Sequence, residues 1–403
     1  MAQVNGVAIA DRGSAHPSGA LFLLAHPAKA SIIIQPETGT EVELRSGSAF
    51  LVARCGDSGS AEHAFDKAHE TAQRALDIIS AAGQRPMQIV DAHTEVLLWW
   101  REGSRQILRV ISVMPTGIEI SMSVTVMGAD GQIVPSAPQP QPTWHASLRY
   151  FRLSQLTDDL TEAFRNAYLA FESILSLRYP RLTFPSRRPG GRLVHEAEGV
   201  WLERALRAVD SSNPLNQAYV SRTGDCVTDF IQDVYTDVRC RLFHAKSGSS
   251  VILPHSIIDR RSVRAACANL MRVTQMLITS WLSGRRGGGV LTHYGFKMAY
   301  GAVLSDALLT VEGEPRSRGI SSVAIPMRIA TALNAPGLLT AIGCFANPRR
   351  LPALRRARVS KAANVLLEYE FPGLLEPNRL DELQFQTGFQ LRNSGEPKSI
   401  FRS

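Results

Sequence analysis

Arg239 and His244, with four residues between them, stand near the end of a long amphipathic segment, Asp237-Val238-Arg239-Cys240-Arg241-Leu242-Phe243-His244-Ala245-Lys246. Their types suit acid–base work at a phosphate. A histidine titrates near neutrality and can give or take a proton, while an arginine presents a fixed fork of donors matched to phosphate oxygens. Two other Arg/His pairs have similar spacing, Arg188 with His195 and Arg286 with His293, but they cross Pro189-Gly190-Gly191 and Gly287-Gly288-Gly289 and so lie in loops. Five positions along an α-helix rotate by about 140°. Arg239 and His244 therefore leave different sides of one straight helix, and converge only where the helix ends near His244 or where a second protomer supplies the missing partner. The plainer alternative is that Arg239 salt-bridges a helix-borne carboxylate such as Asp237 or Glu172 while His244 caps a free carbonyl at the helix end.

Other cations could join such a site. Arg241 and Lys246 flank the pair and could add phosphate contacts. The most concentrated positive charge is Arg349-Arg350-Leu351-Pro352-Ala353-Leu354-Arg355-Arg356-Ala357-Arg358, where Arg355, Arg356 and Arg358 could track a phosphate backbone; the alternative is a solvated basic helix face. Gly284-Arg285-Arg286-Gly287-Gly288-Gly289 lacks the Lys-Ser/Thr of a phosphate-binding loop and reads as a linker. Trp99-Trp100 reads as strand core or interface, and His63 and His69, off metal-ligand spacing, as surface residues of a helix.

The elements that must position these residues follow from patterning. At 403 residues the chain is expected to form two or three domains. Charged residues at 20% and hydrophobic ones at 44% are ordinary globular values, and a net charge of +8 favours a polyanionic partner at the level of encounter. The cysteines Cys55, Cys226, Cys240, Cys267 and Cys344 are scattered, with no C-x-x-C, and read as reduced, mostly buried thiols of a cytoplasmic protein. No cofactor or metal is implied. No run approaches the ~18 apolar residues of a membrane span, so no membrane association is expected.

A spaced-proline stretch, Pro135 to Pro142, marks the clearest boundary. Before it, Ile118, Ile120, Met122, Val124 and Val126 alternate with polar residues as in a strand, the neighbouring runs Glu95 to Trp100 and Gln106 to Val113 also read as strands, and residues 60–82 have helical spacing. After it come four helical segments: a continuous stripe from Leu153 to Leu175, a shorter helix around Gly199 to Val209, a third from about Cys226 to Ala245 with Gly248 available as its C-cap, and a fourth from about Asp259 to Leu282 with Asp259 as a candidate N-cap. Late alternation from Val365 to Phe371 and from Leu383 to Leu391 predicts two more strands, either a small C-terminal unit or a return to the N-terminal sheet. The expected fold class is α+β multidomain: a β-rich domain with one helix over residues 1–134, a linker over 135–146, an all-α four-helix bundle over 147–283 and a small β extension within 290–403.

The Arg239/His244 spacing resembles the R-x4-6-H signature of HEPN domains, over roughly residues 151–283. The resemblance implies a dimeric helical module, in many members a metal-independent ribonuclease, with His244 as general base or acid, Arg239 as phosphate clamp, and RNA or a nucleotide as ligand of a homodimer. Cys240 departs from the pattern, since catalytic members usually carry a polar Asn, Asp or His after the Arg. The segments Phe151-Arg152-Leu153-Ser154, Ala170-Phe171-Glu172-Ser173 and Arg241 to Lys246 look like those of bacterial MauJ-like proteins, accessory proteins named for methylamine-utilisation gene clusters. Two functions are thus expected as rivals: RNA binding or metal-independent RNA cleavage, and a non-catalytic accessory or scaffold role.

Overall fold

The computed structural model describes residues 2–10, 15–56, 59–82, 84, 86–90, 95–117, 127, 132, 142–157, 159–185, 193–243, 251–253, 256–284, 293–314, 322–330, 338–362, 364–377 and 380–392. It has two compact units, the first built from Met1–Ile118 with Leu291–Arg392 and the second from Glu119–Val290.

The first unit is a pair of sheets. The larger runs β13 (Arg328–Ala330), β14 (Leu338–Phe345), β17 (Glu382–Arg392), β8 (Arg105–Gly117), β7 (Glu95–Glu102), β3 (Ser18–Leu23), β6 (Phe50–Cys55), β5 (Thr40–Leu44), β4 (Ile32–Ile34). The smaller runs β12 (Ser322–Pro326), β11 (Leu308–Glu314), β15 (Ala353–Lys361), β16 (Asn364–Glu376), β1 (Ala2–Val4), β2 (Val7–Ala10). Alternation along the strands sends one set of side chains inward, and Leu21, Trp99, Val110 and Phe385 share one core with Val4, Val359 and Phe371 of the smaller sheet. Helix α1 (Ala61–Ala81), whose N-cap Ser60 accepts from the His63 amide, packs against β3 and β6.

The second unit is helical. It contains α2 (Ala146–Leu156), α3 (Leu160–Arg178), a ribbon of β9 (Thr183–Phe184) and β10 (Val194–His195), α4 (Glu198–Ser212), α5 (Cys226–Phe230), a π-helix over Ile231–Arg239, α6 (Cys240–Phe243) and α7 (Ile257–Leu282). Its core gathers Phe164, Phe171, Trp201, Phe230 and Leu277. Helix α8 (His293–Leu304) belongs to the first unit and gives Phe296 and Leu304 to its core.

This organisation corrects the expected fold class. The early and late strands form neither a separate β-rich domain nor a small extension: β17 lies parallel to β8, with Leu383 opposite Leu108, and β16 pairs with β1. A parallel pair needs a long crossover, and here the chain between β8 and β17 includes the helical unit, a further helix and six strands of the first unit. Nor is the central region a four-helix bundle. The stripe from Leu153 to Leu175 is two helices, because Asp159 caps a fresh start at Leu160 by accepting from the Glu162 amide at 2.8 Å. The third helix changes its winding midway, and a strand ribbon interrupts the succession. Arg355, Arg356 and Arg358, read as part of a basic stretch with a solvated helix face as its alternative, sit on β15. His69, expected at the surface, is buried between Phe22 and Phe65, stacked on the latter. The expected strand Ile118 to Val126, the proline stretch 135–141 and the Gly248 cap lie outside the described residues.

Candidate functional site

Three elements of the helical unit bring side chains to Arg239. Helix α3 buries Leu160, Phe164, Phe171 and Leu175 and thereby fixes Tyr168 and Glu172, four residues apart and so neighbours on one flank. Helix α4 buries Trp201 and Leu202, which places Glu198 in its first turn, where the positive end of the helix dipole favours a carboxylate. The π-helix supplies Tyr235 and Arg239; its widened turn shows in the Cys240 amide, which donates to the Tyr235 carbonyl five residues back. Such segments are rare and often mark functional positions.

Glu198 is the hub. Its Oε2 accepts from Arg239 Nη2 at 2.8 Å and faces Arg181 Nη2 at 3.5 Å, while Oε1 accepts from the Tyr168 hydroxyl at 2.8 Å. Arg181 also reaches Glu172 Oε1 at 3.6 Å and lies 5.0 Å from the centre of the Trp201 ring. The Arg239 guanidinium carbon stands 5.5 Å from the ring centres of Tyr168 and Tyr235 and 5.7 Å from that of Phe243, distances at which aromatic faces attract a cation. The Arg239 side chain is 20% exposed and that of Glu198 is 16% exposed.

The electrostatics agree with a closed ion pair. Burial pulls Arg239 down, but the Glu198 charge and the Tyr168 and Tyr235 hydroxyls outweigh it and hold the guanidinium above its ordinary pKa. Burial, then Glu198, pushes the Tyr168 phenol far up and the Tyr235 phenol to about 12. The same two causes raise the Glu172 carboxyl. Two guanidiniums against two carboxylates give no excess positive charge at this spot, and a phenol raised this far is no base at neutral pH. What the cluster does physically is tie α3, α4 and the π-helix together.

The structure separates the remaining candidates. His244 and Lys246 lie outside the described residues. Arg241 faces Asp259 Oδ1 at 4.0 Å. Arg356 binds Glu368 at 2.9 Å and Glu370 at 2.7 Å, and Arg358 binds Glu312 at 3.0 Å and Glu368 at 3.1 Å, cross-strand pairs that offset the charge of the basic run. Arg355 falls where β15 slips register against β16, and is exposed. These three belong to the first unit, Arg239 and Arg241 to the second. Arg239 does salt-bridge a helix-borne carboxylate, but it is Glu198 of α4 in place of the two examples weighed: Asp237 accepts from Gln232, and Glu172 faces Arg181 and feels the Arg239 charge without pairing with it. Sequence reading singled out neither Glu198 nor Tyr168 as a site residue: Tyr168 reads only as part of the buried stripe from Leu153 to Leu175, and the one signal for Glu198 was an acidic residue opening the Gly199 to Val209 helix. Among the described residues no group of three or more His, Cys, Asp or Glu is placed to hold a metal ion, and no helix is long and apolar enough to cross a membrane.

The chain has no significant match among family models, curated proteins or solved structures.

Proposed function

We propose that this chain is a non-catalytic accessory or scaffold protein of the MauJ-like kind, cytoplasmic and associated with methylamine utilisation, and that Arg239 is a structural residue of its helical unit. One observation carries the reading: the Arg239 charge is already answered by Glu198, with Nη2 held at 2.8 Å, and its guanidinium stands among the Tyr168, Tyr235 and Phe243 rings, so it is poorly placed to clamp a phosphate. Cys240, in the position where a catalytic HEPN domain carries a polar residue, supports the same side. The test is cleavage of labelled tRNA and single-stranded RNA in EDTA by the wild-type protein and by Arg239→Met. The reading expects no cleavage by either protein and a lower melting temperature for the variant. Cleavage by wild type that disappears in a variant of unchanged melting temperature would establish the rival, a metal-independent ribonuclease.

A further inference from the structure

Helix α2 turns a mixed basic and apolar face to solvent. Its inward residues are Ser147, Phe151 and Ser154, all buried. At about 100° per residue the opposite side is centred on Arg149 and Leu156 and flanked by Arg152 and Leu153. All four are exposed, Leu153 at 39% and Leu156 at 50%. The helix carries no acidic residue, and neither arginine forms an ion pair among the described residues. Elsewhere in this unit Arg165, Arg204, Arg207, Arg222 and Arg239 each meet a carboxylate. Just ahead of the helix, Trp144 is 71% exposed. The backbone on both sides of it is anchored: the Thr143 amide donates to the Leu282 carbonyl at 2.9 Å, and the His145 ring caps α2 by accepting from the Ser147 amide. A large ring held out in water from a fixed backbone forgoes the burial its area would reward.

An anion alone would answer Arg149 and Arg152 and leave Trp144, Leu153 and Leu156 in water. An apolar partner alone would do the reverse. The surface of an anionic bilayer answers both: lipid phosphates take the guanidinium donors, the leucines enter the boundary beneath them, and an indole is at its best at headgroup level. We infer that this face of α2 docks peripherally on a membrane surface rich in anionic lipid. Nucleic acid offers the leucines little, and a protein partner would have to be shaped to the projecting indole, which a fluid surface need not be. The inference is independent of the accessory role proposed above and uses none of the residues of the Glu198 cluster.

The test is co-sedimentation of the full chain with phosphatidylcholine vesicles that contain or lack phosphatidylglycerol, at physiological ionic strength. Wild type is expected to sediment with the anionic vesicles and not with the neutral ones. Arg149→Gln combined with Arg152→Gln should weaken that binding about 25-fold, since each arginine near an anionic surface is worth about 1 kcal/mol and each 1.4 kcal/mol is tenfold. Because both side chains are exposed, the double variant should melt with wild type, which separates lost docking from lost fold. Tryptophan emission gives a second readout: Trp99, Trp100 and Trp201 are buried and Trp281 is half-buried, so a blue shift on adding anionic vesicles should be present in wild type and absent in Trp144→Ala. Wild type that ignores phosphatidylglycerol, or a double variant that binds the anionic vesicles as tightly as wild type, overturns the inference. So does single-stranded RNA or polyglutamate that binds wild type and not the double variant while the vesicles bind neither, which assigns the face to a polyanion in solution.

Discussion

Glu198→Ala is the sharpest probe of the helical unit. At 2.8 Å and an effective dielectric near 20, the Glu198–Arg239 attraction is about 6 kcal/mol before desolvation is subtracted. Removing the carboxylate strands Arg239, which is 20% exposed, and also frees the Tyr168 hydroxyl and one contact of Arg181. Breaking a fully buried pair costs roughly 3–5 kcal/mol, and the residual exposure here puts the expected loss near the lower end, about 3 kcal/mol. For a unit of this size each kcal/mol moves the melting temperature by about 2–4 °C, so a fall of about 6–12 °C is expected. Arg239→Met should cost less, about 1 kcal/mol, because a thioether fills the space among the three rings while Glu198 keeps Arg181 and Tyr168. The assay is thermal melting followed by circular dichroism at the helical band, which weights the helix-rich unit. A Glu198→Ala protein melting with wild type, or an Arg239→Met protein melting below Glu198→Ala, refutes the hub assignment.

Asp229 accepts from the Ser221 hydroxyl and the Thr223 and Arg222 amides, and the Ser221 bond first among these holds its carboxyl down at about 2. Its contribution to stability is therefore complete above the unfolded carboxylate range, near 3.9, and is lost as pH falls toward 2. Asp229→Asn should flatten that acid limb in circular-dichroism titrations between these values; an unchanged slope refutes the linkage. In the first unit, a Cβ on Gly19 would collide with the Ala53 carbonyl and the Trp99 ring, both held by the core. Gly19→Ala should cost about 3 kcal/mol or abolish soluble expression, and a melting temperature equal to wild type would count against the packing described.

Much of the local structure was legible because it depends on neighbours in sequence. The apolar, β-branched and aromatic runs at Glu95 to Trp100 and Gln106 to Val113 give β7 and β8, and the helical spacing at 60–82 gives α1. What sequence could not supply was partners. Arg109 bonds Gln384 at 2.8 Å across 275 positions, and nothing in either strand's pattern names the other. The basic run misled for a related reason: charge spacing alone cannot distinguish a helix face from a strand whose arginines meet Glu312, Glu368 and Glu370 on adjacent strands. Arg239 was singled out correctly as unusual, but its partner lies on another helix, 41 positions earlier by subtraction of Glu198 from Arg239.

The winding of the third helix shows how a local signal was present and measured against the wrong ruler. Phe230, Val234, Val238 and Leu242 recur every four residues. At 3.6 residues per turn each such step overshoots by about 40°, so three steps would carry Leu242 about 120° away from Phe230. Yet Phe230, Val234 and Val238 are all buried in the same core, with Leu242 packed against it. The five-residue bonding of the π-helix over Ile231–Arg239 puts more residues in each turn, which counters the drift and keeps the stripe on one side. Tyr235, Arg239 and Phe243 repeat at the same interval, and the same winding stacks them, which is why the Tyr235 and Phe243 rings stand 5.5 and 5.7 Å from the Arg239 guanidinium. A strict four-residue repeat thus encodes both the altered helix and the aromatic enclosure of its arginine. The rotation of about 140° used to relate Arg239 to His244 presumes an ordinary α-helix, and the winding through Arg239 is not one.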